Sequence, residues 1–71
     1  MLLPLLSILL QAQETVVIDG VTFSVDKKTL IKYSEDKTDE EYVVPEGTEI
    51  ISEHAFGHNR HLQVLTLPLS L

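Results

Sequence analysis

The rhythm of hydrophobic and polar positions changes three times along this chain. Residues 1–10 are apolar apart from Pro4 and Ser7, and the first charge is Glu14. From Thr15 the apolar residues become β-branched or aromatic and fall into short runs. Thr15-Val16-Val17-Ile18 and Val21-Thr22-Phe23-Ser24-Val25 flank Asp19-Gly20. A two-residue Asp-Gly connection predicts a type I′ hairpin, because glycine takes positive φ without a Cβ clash. At period two, Val21, Phe23 and Val25 share one face and Thr22 and Ser24 the other. Asp26-Lys27-Lys28 predicts a second turn and Thr29-Leu30-Ile31-Lys32-Tyr33 a third strand. Ser34 to Glu41 is polar, largely acidic and aperiodic, which predicts a solvated loop.

The third rhythm is a recurrence. Tyr42-Val43-Val44-Pro45 returns 23 residues later as Leu65-Thr66-Leu67-Pro68. Each is a short extended segment ended by a proline, which cannot donate to a continuing ladder. Ile50-Ile51, Ala55-Phe56 and Leu62 lie between them. A 23-residue period with one short strand per unit suits one coil of a solenoid, whose inward aliphatics are buried by the neighbouring coil. Ala55 is small where the chain must turn, and Phe56 fills the interior beside Ile51. Asn59 carries both a donor and an acceptor and suits the bonding of unpaired backbone groups at the bend. In this register Phe56 and Leu67 point inward, and His58 and Arg60 face solvent.

These residues resemble the BspA-type leucine-rich repeat, a family of bacterial and protist surface proteins. Its pattern runs Leu-x-x-Val-x-Leu-Pro-x-Ser-Val-x-x-Ile-Gly-x-x-Ala-Phe-x-x-Cys or Asn. Tyr42, Val44, Pro45, Ile51, Ala55, Phe56 and Asn59 match a first copy. Leu62, Leu65, Leu67, Pro68, Ser70 and Leu71 match the start of a second. Asp39, Thr48 and Ser52 depart from it, standing where the pattern has Leu, an aliphatic residue and Gly. The stretch from Val21 to Pro45 also resembles the β-hairpin leader that precedes such arrays. The resemblance implies a non-enzymatic adhesion or recognition module that binds a host or cell-surface protein.

The organisation expected is a signal peptide at 1–13, a β-hairpin or meander leader at 14–40, and a leucine-rich repeat start at 41–71. The fold class is mainly β, an N-terminal antiparallel meander leading into the first coil of a leucine-rich repeat solenoid. The apolar run is too short to span a bilayer, which takes about 20 residues, and is the length of a signal core. Ala12 is a small residue suited to cleavage. A secreted or cell-surface location and no stable membrane span follow as expectations. A further expectation is self-association through the strand edge left open at the C-terminal repeat.

Composition narrows the chemistry. Seventy-one residues allow one small domain. The absence of cysteine removes disulfides and thiolate metal sites. Five basic against eleven acidic side chains give a net charge of −6, the wrong balance for a phosphate-binding surface, so nucleic acid is not an expected partner. His54, His58 and His61 would share a face only on a helix, which Gly57 interrupts, so no metal site is assigned. The acidic residues of 35–41 lack the spacing and central glycine of an EF-hand. No phosphate loop, nucleophile elbow or catalytic triad order is present. No catalytic residue and no cofactor is assigned. The alternatives are a repeat spacer at the N-terminus of a larger surface enzyme, or a histidine metal-binding segment.

Overall fold

A computed structural model describes residues 14–71, and the expected signal peptide lies outside the described residues. The fold is small and made of strands, with no helix among the described residues. The elements are β1 (Thr15–Ile18), β2 (Val21–Ser24), β3 (Thr29–Tyr33), β4 (Glu41–Val43), β5 (Ile50–Ile51) and β6 (Val64–Thr66). One sheet has the order β1-β2-β3-β5, and a second pairs β4 with β6.

The first three strands are antiparallel neighbours, as the alternation predicts. Asp19 and Gly20 have φ of 50° and 78°, the two positive values a type I′ turn requires. The β2–β3 pairing slips between Thr22 and Phe23. Val21 sits opposite Tyr33 and Thr22 opposite Lys32, but Phe23 faces Leu30, so Ile31 is an extra residue on β3. That bulge has a packing consequence. Leu30 and Tyr33 are three positions apart and would lie on opposite faces of a regular strand. The inserted residue returns both to one face, where they are fully buried with Val21 and Phe23.

Val25 departs from the expected inward stripe, because it is 54% exposed. β2 ends at Ser24, whose hydroxyl donates to Asp26 (2.7 Å) and accepts from the Thr29 N–H (3.0 Å). Lys27 at φ 64° completes the turn, which carries Val25 outward before the alternation can continue. Glu41, expected in the acidic loop, instead opens β4.

The remaining pairings are parallel. Thr29 and Leu30 of β3 lie beside Ile50 and Ile51, each partner 21 positions later. Glu41, Tyr42 and Val43 lie beside Val64, Leu65 and Thr66, each 23 positions later. The turns are joined at nearly the same spacing: Gly47 N–H donates to Ser70 Oγ (3.0 Å) 23 positions on, and that hydroxyl donates to Thr48 O (2.8 Å), 22 positions back. The two sheets enclose a core of Val21, Phe23, Leu30, Tyr33, Val44 and Ala55. Val16, Tyr42, Ile51, Phe56 and Leu62 pack against it. Leu67 is not part of that core: it is 53% exposed, against the expected inward position, because nothing among the described residues lies beyond β6 to cover it.

Candidate binding site

The bend after Ala55 is held by one side chain. Asn59 Nδ2 donates to the carbonyls of Ser34 (2.8 Å) and Lys37 (3.0 Å). Its Oδ1 accepts the N–H groups of His61 (2.9 Å) and Leu62 (2.8 Å). The amide thus ties the β3–β4 connection to the β5–β6 connection and satisfies four backbone groups, the role its chemistry predicts. The small Ala55 is buried at the same corner, and its carbonyl accepts the Tyr33 N–H (2.8 Å).

Under this bend Tyr33, Tyr42 and Phe56 form an aromatic cluster. The Tyr33 ring lies 5.0 Å from Tyr42, edge to face, and 5.1 Å from Phe56. Such pairs add about 0.5–1.5 kcal/mol beyond the area they bury. Burial pushes both phenols above the ordinary tyrosine pKa. The Tyr33 hydroxyl and the Thr48 hydroxyl are buried without a hydrogen-bond partner among the described residues. Thr48 is 1% exposed.

Lys37 was hidden from sequence reasoning, since it sits in a run that reads as solvated. Its side chain is only 10% exposed, and its Nζ donates to Asp19 O (2.9 Å). Asp39 lies 3.3 Å away and Asp19 Oδ2 3.5 Å, and the ammonium stands 5.5 Å over the Tyr33 ring. Burial opposes its charge, but the Asp39 hydrogen bond and the Asp19 carboxylate outweigh this and raise its pKa. The stem also explains Gly20, where a Cβ would come within 3.1 Å of the Lys37 Cγ and Cδ. The loop's one signal was a lysine alone among carboxylates.

The three histidines do not converge. His54 and His58 occupy left-handed turn positions, φ 65° and 68°, and all three side chains are exposed. His54 Nε2 is 3.4 Å from Glu53. Among the described residues no group of three or more metal-ligating side chains comes together.

A groove of about 410 Å³ opens between the β1–β2 hairpin and β4. Phe23 and Tyr42 lie along it with Ile18 and Val43, while Asp19, Lys27 and Glu46 supply its polar positions. Sequence reasoning missed it, because its walls come from segments some twenty residues apart that only the tertiary packing joins.

No protein-family model matches this chain, and no curated protein or solved structure is found similar to it.

Proposed function

We propose that this chain is a non-enzymatic protein-binding module of the leucine-rich repeat type, in which an antiparallel leader caps the first coil of a solenoid. The observation that carries the reading is the parallel pairing of Glu41–Val43 with Val64–Thr66 at a constant displacement of 23 residues. That displacement equals the sequence recurrence. Stacked coils offer a rigid surface whose exposed residues vary without disturbing the core, which suits recognition. By this reading the ligand is a host or cell-surface protein, and the chain is secreted or surface-exposed.

Inserting a second copy of residues 41–63 after Gln63 tests the coil. The junction keeps every pairing in register, so the longer chain is expected to melt cooperatively at a higher temperature. A lower Tm or a lost transition refutes the repeat. Binding is tested separately by surface plasmon resonance against purified extracellular matrix proteins. Saturable binding that heat-denatured chain lacks is expected, and none across the panel refutes the adhesive role. Export is tested by mass spectrometry of the secreted product, with an N-terminus at or near Gln13 expected and intact Met1 on a cytoplasmic product against it.

A further inference from the structure

The two sheets are unequal: four strands lie in one and two in the other. The groove is lined by Tyr42 and Val43 of β4 and by residues of the β1–β2 hairpin, and by none of β6. A further strand of the smaller sheet would have to pair along the edge of β4 that β6 leaves open.

The backbone along that position is available. Glu40 O accepts the N–H groups of Gln63 and Val64, and Val44 N–H donates to Thr66 O (2.9 Å), so these positions face β6. Alternate residues of an extended strand turn their N–H and C=O groups to opposite edges in a parallel pair. Glu41 and Val43 therefore present theirs to the groove, where no described strand pairs with them. Pro45 follows with no N–H and ends the edge. Phe23 and Tyr42 line the interior, and Ile18 and Val43 are 46% and 67% exposed at its mouth. Charge decides the partner. Asp19, Glu46 and the exposed Glu41 stand against Lys27 and against Lys37, which pairs with Asp19 from behind, so this edge keeps one net negative charge in a chain of net charge −6.

We propose that this groove is a strand-addition site for an extended segment of a partner protein, one that alternates aliphatic and polar residues and carries lysine or arginine at its ends. The proposal rests on the binding-module reading and gives it a site. The added segment pairs with Glu41 and Val43 through main-chain bonds, its alternate aliphatic side chains meet Ile18 and the half-buried Tyr42, and its basic ends meet Asp19 and Glu46. A ladder limited to two residues makes the contact weak and readily reversible.

The test uses the full chain and a fluorescein-labelled nine-residue peptide alternating valine and threonine between terminal lysines. Anisotropy is expected to show saturable binding, at least about tenfold weaker for the same peptide with glutamate ends. Val43→Pro, which removes one edge donor and no existing hydrogen bond, is expected to weaken binding by at least about tenfold. Hydrogen exchange on the unaltered chain gives an independent readout: the Val43 amide exchanges fast alone and slows with peptide. Equal binding by the two peptides, no saturable binding, or an unprotected Val43 amide at saturation overturns the proposal. Protection of Val43 without peptide also overturns it, residues 1–13 being the occupant if the chain sediments as a monomer and a second copy if as a dimer that Val43→Pro dissociates. Each of these failures leaves the 41–63 insertion result standing, so the site and the repeat fall separately.

Discussion

Replacing Thr48 by valine is expected to stabilise this protein. The side chain is 1% exposed, and its hydroxyl has no hydrogen-bond partner among the described residues. Burying an unsatisfied hydroxyl costs about 1–3 kcal/mol on protein mutational scales. Valine has nearly the same shape, so the methyl takes the place of the hydroxyl without strain or cavity. The backbone is unaffected: Thr48 N–H donates to Pro45 O and its carbonyl accepts from Ser70 Oγ, and both bonds survive the change. A gain of about 1–2 kcal/mol is the expected net. In a domain of this size each kcal/mol moves Tm by about 4–8 °C, so a rise of roughly 4–16 °C should be measured by circular dichroism. Urea titration should give a higher midpoint at unchanged slope. A Thr48→Val protein that melts at the same temperature or lower would show that the hydroxyl is hydrogen-bonded in solution, and the burial argument would fail.

Three further outcomes are expected. Asn59→Ala removes four backbone partners at a half-buried bend and should cost about 2–4 kcal/mol by urea denaturation, with exposed Arg60→Ala within about 0.5 kcal/mol as the control. Phe56→Ala should cost about 2–4 kcal/mol through lost packing on Tyr33, whereas Leu67→Ala, at a position 53% exposed, should stay under about 1 kcal/mol; equal costs would restore the inward register for Leu67. Stability should fall as pH rises past about 10, for two reasons of the same sign. The raised Lys37 pKa gives a contribution present below the unfolded lysine value and lost as pH climbs through the folded one. The raised Tyr33 and Tyr42 values mean that the unfolded chain ionises first and is favoured in alkali. A Tm that stays flat to pH 11 would contradict both.

Much of the strand content could be read because it is local. Asp19-Gly20 announces its hairpin through a backbone requirement, and Thr29–Tyr33 is bounded by polar turns on both sides. Asn59 could be found because few side chains can bond two acceptors and two donors at once. The bulge at Ile31 could not, since it is a compromise between two strands and neither sequence carries it alone. Val25 misled for the converse reason: its alternation is intact, but hydrogen bonds from the Ser24 hydroxyl and the Lys28 N–H to the Asp26 carboxylate close the turn first. Lys37 reads as solvated because composition cannot see that Asp19, Asp39 and the Tyr33 ring converge on it. Leu67 fits an inward pattern whose covering layer must come from outside its own strand.

The spacing of the parallel pairs also bears on how fast the chain can find its fold. The β1–β2 hairpin closes across two residues and should form within about 1–10 μs. The later pairings close intervals of 21 and 23 residues, nearly equal, so neither is entropically much harder than the other. Closure cost grows only as the logarithm of loop length, and a repeated interval holds it constant at each step. Strand pairing here can proceed in sequence order from the hairpin, the two parallel contacts reaching back similar distances, 21 and 23 residues, to a strand already in place. A chain growing by that rule gains length without lengthening its slowest search, so relative contact order falls as units are added.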